Sequence, residues 1–503
     1  MSLLLRVLQS PYAVPPLMLA AAFLLRSLSF VPYVIDTDEG LYMLQAQAWL
    51  HGRGWPLVAV WDMHPVGAPF LFTAAMALLG ETVGAIRLLG MLAVTATATG
   101  LYAIARLLRL SHLVGIGVGV LYLGMTNRFN GLATNTEILF APFVIAALAL
   151  ALHTAVAALD DARRPGFGRL AVIGLLVGIA LTIKPVAMPE GCLAFAVFVL
   201  PAWRRGVLGI GRAAAMAAAY TLLCLAPTLV LAVCYALIGS FDIFFDAVIM
   251  APLRYEGGRL PPAEAAWLIA ASALFLLWPF LLGLVAVARA REFPRAVLFG
   301  AAWMLFATTA IMLPGLYYNH YFLIWMPPLS LLATCGIWWL AQRLWPARAA
   351  LALSVMLGIV ATDSWADRTA VRMYSGTALR FPDPVAAVGA ALAANIRPGD
   401  TVLVANYHPL VYLLAGASVP SRYVFPAQLT GEFGDVGGID MDDEVARILA
   451  AKPAAIVVDR GWWLSIRPSV RTMLTRVLEE SYELRTEVGE ERGPVEIWRL
   501  RAP

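Results

Sequence analysis

The chain is expected to fold as an α-helical polytopic membrane protein of about eleven spans, with a small C-terminal α/β domain outside the bilayer. Three observations carry this. Hydrophobic residues make up 61% of 503 and charged residues only 14%, more apolar surface than a soluble fold of this length can hide. Arginines gather in five short breaks between apolar runs, and most of the remaining charge falls after Asp363. The net charge of +4 says less than this distribution. A lipid bilayer is the expected partner, and nucleic acid is not.

The N-terminal apolar run, Tyr12 to Ile35, follows Arg6 and has no small-residue cleavage site, so it reads as a retained signal anchor. The basic clusters are Arg106 and Arg109; Arg163, Arg164 and Arg169; Arg204, Arg205 and Arg212; Arg289, Arg291 and Arg295; Arg343 and Arg348. The positive-inside bias places all five in the cytoplasm, so the stretch between each pair crosses an even number of times. Residues 112–126 pair with 138–157, and 170–186 with 189–203, the latter broken at Lys184-Pro185 and Pro189. Residues 213–238 and 264–288 flank a long outer loop, and 297–313 pair with 318–341. The run 349–363 crosses once more, leaving a cytoplasmic N-terminus and an outer C-terminus.

The first helix runs outward and 84–105 must run inward, so Val66 to Leu79 cannot also cross. It is short, opens with Pro65 and Pro69, and reads as an amphipathic or re-entrant helix at the outer interface. Residues 36–83 are then one outer loop within a membrane domain of residues 1–363. In the remainder, 364–503, Thr401 to Ala405, Ala454 to Asp459 and Glu496 to Leu500 look like strands. Helix-like segments, Asp443 to Ala451 and Pro468 to Glu480, lie before and after the second strand. Cys192, Cys224, Cys234 and Cys335 fall in apolar runs without a C-x-x-C partner, as small core residues do. There is no glycine-rich phosphate loop, since Gly117 and its neighbours lie within an expected span.

The candidate chemistry begins in the outer loop. Asp36, Asp38, Glu39 and Asp62 are carboxylates beside a membrane face, where charge usually marks function. Asp36 followed three residues on by Glu39 is also a capping-box spacing, which Asp38 does not serve, so Asp38 is the better functional carboxylate. Asp62 with His64 is a cation or sugar site, or simply a solvated turn; two ligands do not specify an ion. Lys184 and Arg87 stand at outer helix ends, away from the basic clusters, where snorkelling is the ordinary reading. Glu137 closes a hairpin tip as a loop charge or a site residue. His320 and Tyr321 belong to a polar aromatic cluster with Tyr317, Tyr318 and Asn319. The loop from Ser240 to Glu264 carries Asp242, Asp246, Arg254, Tyr255, Glu256 and Arg259 and is placed to cover a site.

Taken in order, Asp38-Glu39-Gly40-Leu41-Tyr42, Trp61-Asp62-Met63-His64-Pro65, Arg87-Leu88, Thr136-Glu137 and Thr182-Ile183-Lys184-Pro185 resemble the polytopic GT-C glycosyltransferases. That group includes the protein O-mannosyltransferases and the aminoarabinose and galacturonic acid transferases of bacterial lipopolysaccharide. His320-Tyr321-Phe322 with Pro327-Pro328, and Ser421-Arg422-Tyr423-Val424-Phe425, are similar too. The resemblance covers nearly the whole chain. It departs at His64-Pro65-Val66, where many relatives have Lys-Pro-Pro.

The resemblance implies a sugar donor carried on a polyprenyl phosphate, used at the outer face of the inner membrane with inversion at the anomeric carbon. The acceptor would be a glycan, lipid or protein of the envelope. It places the catalytic carboxylate at Asp38, taking a proton from the acceptor hydroxyl. Glu39 or Glu137 would position the acceptor, or hold a divalent cation if one is used. Lys184, Arg87, Arg254 and His320 are the outward cations for a leaving phosphate. A transporter or flippase of a lipid-linked sugar, or an assembly subunit acting through the C-terminal domain, are the competing readings. A transporter would show mid-membrane charges and repeated halves, and no internal repeat is detectable.

Overall fold

The structure is a computed structural model that describes residues 10–255, 259–375 and 383–502, without the side chains of 361 and 364–375. Arg6 and Glu256 lie outside the described residues. In chain order the helices are α1 (Val14–Arg26), α2 (Thr37–Leu50), α3 (Gly67–Leu79), α4 (Val83–Leu107), α5 (His112–Met125), α6 (Thr136–Asp161), α7 (Phe167–Ile183) and α8 (Met188–Arg204). There follow α9 (Ile210–Leu237), α10 (Phe241–Phe245), α11 (Ala251–Arg254), α12 (Pro262–Phe275), α13 (Leu277–Ala288), α14 (Pro294–Met312), α15 (Met326–Leu344) and α16 (Ala349–Ser375). The C-terminal part adds α17 (Pro384–Asn395), β1 (Val402–Val404), α18 (Leu410–Ala415), α19 (Pro426–Leu429), α20 (Met441–Ala450), β2 (Ala455–Asp459), α21 (Pro468–Ser481), β3 (Tyr482–Gly489) and β4 (Pro494–Leu500).

Two compact units divide the chain. One comprises Met1–Ser29, Arg87–Leu231 and Gly258–Tyr374; the other Phe30–Ile86, Ala232–Gly257 and Ser375–Pro503.

The first unit is a bundle of apolar helices. Among the described residues, seven helices are long and apolar enough to cross a bilayer, or eight with the bent pair α12–α13. Shorter apolar helices stand at the other expected spans 112–126, 170–186 and 349–363. Only 11% of the most apolar window of α9 is buried, against 83% for the segment Asn319–Leu344 that contains α15. The first therefore shows lipid-soluble side chains on nearly every side, and the second is the centre of the bundle. Close packing there requires Gly336 of α15: a Cβ at that position would lie 1.9 Å from the Leu282 carbonyl oxygen of α13.

The bundle has two chemically different ends. Asp160, in the last turn of α6, takes Arg109 at 2.9 Å and Arg295 at 2.8 Å, and Arg205 donates to the neighbouring Leu159 carbonyl at 2.7 Å. Three of the five basic clusters thus meet at one end. Glu137 opens the same helix 23 residues earlier, about 35 Å away at 1.5 Å per residue, which is a bilayer thickness.

Two spans differ from expectation. Residues 264–288 form no single helix: the chain bends by 85° between α12 and α13. Pro279 cannot donate to the Phe275 carbonyl one turn back, and the Arg128 guanidinium donates to that carbonyl instead while lying 4.3 Å from the Phe275 ring centroid. The first helix ends at Arg26 and a 3-10 turn, Ser27–Phe30, rather than running to Ile35. Pro32 forbids continuation, and Arg26 is buried with Thr126 Oγ1 at 3.2 Å. Cys192 also departs from the core reading, being exposed.

In the second unit α2 packs on α3 through Tyr42 against Phe72, ring centroids 5.6 Å apart, and Trp49 against Phe70 at 4.7 Å. Its sheet has the order β1-β2-β4-β3, with β1 parallel to β2 and the other pairs antiparallel. Both faces of β1 and β2 are buried, which explains their unbroken apolar sequence. Leu403, Ile456 and Val458 meet Val445 and Ile448 of α20 and Val470, Leu474 and Leu478 of α21 in one core. The edge strand β3 is half exposed; Tyr482, Leu484, Thr486 and Val488 alternate with Glu483, Arg485 and Glu487, a strand pattern that sequence reasoning missed.

Candidate active site

Two constellations hold the candidate residues, one in each unit. In the helical unit the sequence puts Lys184 between Ile183 and Pro185. The proline ends α7, and Lys184 becomes its extended C-cap at φ −155° and ψ 126°. Its Nζ lies 2.7 Å from Glu137 Oε1, with the two side chains 5% and 1% exposed. It also stands 4.4 Å from the centroid of the Tyr321 ring, a cation–π contact. Thr136 Oγ1 donates to Glu137 Oε2 at 3.1 Å. Tyr321 continues into His320 (5.0 Å, edge-on), which stacks on Tyr318 at 6.0 Å. Four sequence candidates, Glu137, Lys184, His320 and Tyr321, are thereby one cluster.

Arg87 is buried in the second turn of α4. Three residues on, Gly90 passes so close to the segment before α6 that a Cβ would meet Thr134 Oγ1 at 2.7 Å. This places the Arg87 end of α4 at the Glu137 end of the bundle.

Sequence reasoning did not single out Glu190. It is buried near the start of α8 and accepts from the Trp303 indole at 2.6 Å. Glu190, Glu137 and Tyr122 line one small cavity of about 10 Å³. A lone carboxylate in an apolar run was the signal available.

In the other unit, Asp36 is the N-cap of α2 and accepts from the Asp38 amide at 3.3 Å. Asp38 itself is half-buried in the first turn, and Glu39 is buried. Tyr42 lies one turn on from Asp38 and so shares its face of the helix. The His64 ring meets Tyr42 edge-on at 6.4 Å, and His64 Nδ1 is 2.9 Å from Asp62 Oδ2. Asp62 also accepts from the Met63 amide at 2.7 Å, so it orients the His64 ring beside the Asp38 face. The loop is pinned at Trp61, whose amide donates to the Arg422 carbonyl at 2.8 Å and whose ring packs on Tyr423 at 5.4 Å. That accounts for the Ser421–Phe425 motif as a strap.

Arg254 is engaged by Asp246, with its Nη2 2.8 and 2.9 Å from the two carboxylate oxygens, and by the Val436 carbonyl. His408 contacts Thr37 at 3.3 Å, and burial lowers its pKa to about 4, so it is neutral near neutrality. Among the described residues no group of three His, Cys, Asp or Glu side chains is placed to hold a metal ion.

No family model and no curated protein sequence matches the chain. Solved structures do. The chain is similar to ArnT from Cupriavidus metallidurans bound to undecaprenyl phosphate (TM-score 0.61, 16% identity, covering 96% of this chain and 97% of that one). The apo form of the same protein gives a TM-score of 0.59 over the same shares, again at 16% identity. The oligosaccharyltransferase of Archaeoglobus fulgidus, tethered to an acceptor peptide, gives 0.50 at 12% identity, covering 97% of this chain and 74% of that one. The resemblance carried by the ordered motifs therefore holds at the level of architecture, and the fold of this chain is that of the polytopic GT-C glycosyltransferases.

Proposed function

We propose that the protein is an inverting glycosyltransferase that moves a sugar from a polyprenyl-phosphate donor to an envelope acceptor at the outer face of the inner membrane. The observation that carries this reading is the likeness, over nearly the full length of both chains, to a protein crystallised with undecaprenyl phosphate. The N-terminus lies in the cytoplasm and the C-terminal domain outside, because the basic end of the bundle around Asp160 takes the cytoplasmic side.

In the step itself, Asp38 accepts the proton of the acceptor hydroxyl as its oxygen attacks the anomeric carbon. The bond from that carbon to the lipid phosphate breaks on the opposite face, and the phosphate departs with both bonding electrons. The resemblance assigns Lys184, Arg87 and His320 of the helical unit to the charge that develops on it. Glu137 and Tyr321 fix the ammonium in place, which supports preorganisation. No group on the protein becomes covalently attached. His64, oriented by Asp62, stands where relatives place a lysine and takes the polar contact on the Asp38 side; Glu39 and Arg254 shape the surrounding loops.

Transfer is favoured over transport by where the charges stand. Glu137 lies in a first turn, Lys184 caps a helix and Arg128 sits in a loop, not at mid-span. Mass spectrometry of envelope glycolipids and glycans from a deletion strain is the test. One sugar-sized mass is expected to disappear from one acceptor and return on complementation. An unchanged glycan profile with an altered leaflet distribution of the lipid-linked sugar would instead select the flippase.

A further inference from the structure

A cavity of about 590 Å³ lies within the C-terminal sheet unit, inside the size range of small-ligand sites, ~300–1,000 Å³. It opens where β1 and β2 end. Residues at the carboxyl ends of this parallel pair line it: Tyr407 and His408 after β1, Asp459 as the last residue of β2 and Trp462 after it. In open α/β sheets the crevice outside the carboxyl ends of the strands is where ligands bind.

The walls combine two chemistries. Tyr407, Phe433 and Trp462 offer aromatic faces, while His408, Glu432 and Asp459 offer hydrogen-bonding groups. A pyranose has the same division: C–H groups on its faces, hydroxyls around its rim. We propose that this cavity binds a neutral sugar ring of a hydroxyl-rich glycan.

The cavity is also braced. Asn406 exchanges two hydrogen bonds with the Asp459 backbone, both 2.8 Å, tying the strand ends together. Arg467 holds the opposite wall through the carbonyls of Gly431 and Leu429. A site fixed before binding loses less freedom when a weak, polar ligand enters. Trp462 is about half exposed and so is reachable from solvent. Thr37, the residue before Asp38, lines the same cavity. The ring's identity rests on the proposed transfer: there, it belongs to the acceptor.

The test is saturation-transfer NMR on the full chain in a detergent without a sugar headgroup. The probes are glucose, galactose, mannose and N-acetylglucosamine, as free sugars and as disaccharides, with glucose 6-phosphate as the charged control. Ring protons of at least one neutral probe are expected to receive saturation at about 10 mM, above a millimolar Kd. Trp462→Ala and, separately, Glu432→Gln are each expected to weaken that binding about tenfold, which is ~1.4 kcal/mol, the first by losing a stacking face and the second a charged hydrogen-bond acceptor. Both side chains are exposed, and an unchanged thermal midpoint shows each variant to be folded. Absence of signal from every neutral probe, preference for the phosphate, or undiminished binding in both folded variants would overturn the proposal. Sugar binding by a chain whose deletion leaves envelope glycans intact supports the cavity while sinking the transfer reading; transfer without sugar binding does the reverse.

Discussion

Asp38→Asn is expected to reduce sugar transfer by roughly 10²–10⁴-fold, the share that a general base supplies, while the protein still folds. The amide has the same shape but cannot accept the proton. The fold should survive because the α2 cap is Asp36, whose carboxylate receives the Asp38 amide, and that bond uses the backbone of residue 38, not its side chain. Asp36→Asn is the matched control. Asn caps a helix as well as Asp does, so transfer should stay close to wild type. Equal losses in the two variants, or a folded Asp38→Asn protein with full activity, would show that the carboxylate at 38 is not the base.

The second large effect lies at the buried ion pair. Lys184→Met leaves the Glu137 carboxylate in a site where its side chain is 1% exposed. Removing one partner of a buried pair costs about 3–5 kcal/mol, so the variant should show a much lower thermal midpoint or little recoverable protein. Glu137→Gln with Lys184→Met removes both charges and should restore most of that stability. Transfer should not return with it, because the cation beside the leaving phosphate is still missing. A stable and active double variant would make the pair purely structural.

The sequence was most informative where composition changes sharply. Arginine clusters and prolines bounded the spans, and the meeting of Arg109, Arg205 and Arg295 around Asp160 and Leu159 bears out the grouping of three of those clusters at one end. Val402–Val404 and Ala455–Asp459 were legible because strands buried on both faces carry unbroken apolar runs. The bend before Pro279 was not, since one proline in a long apolar run marks a kink and a break alike; the group that takes the freed Phe275 carbonyl, Arg128, is far away in sequence.

The candidate site was legible residue by residue and, apart from Asp62 with His64, not as pairs. Glu137 and Lys184 each stood out as a charge at a helix end. Their union spans 47 residues and is a product of helix packing. Asp62 and His64, two residues apart, were readable as a pair, while their place against Tyr42 came from the packing of the loop on α2. Glu190 went unnoticed because it sits among apolar residues whose partner, Trp303, is 113 positions away. Arg254 drew attention as a cation of an outer loop, but Phe241–Arg254 is one helical stretch in which Asp246 lies eight residues before it, so the charge that seemed available is matched locally.

Stereochemistry tests the central claim most directly. Purified protein in lipid nanodiscs would receive a polyprenyl-phosphate sugar of known anomeric configuration together with the acceptor identified from the deletion strain, and the new glycosidic bond would be assigned by NMR. Direct attack assisted by Asp38, with the phosphate leaving from the far side, predicts the opposite anomer and turnover lowered roughly 10²–10⁴-fold in Asp38→Asn. A product that keeps the donor's configuration would require a covalent glycosyl-enzyme or a different attack geometry, and would contradict the account.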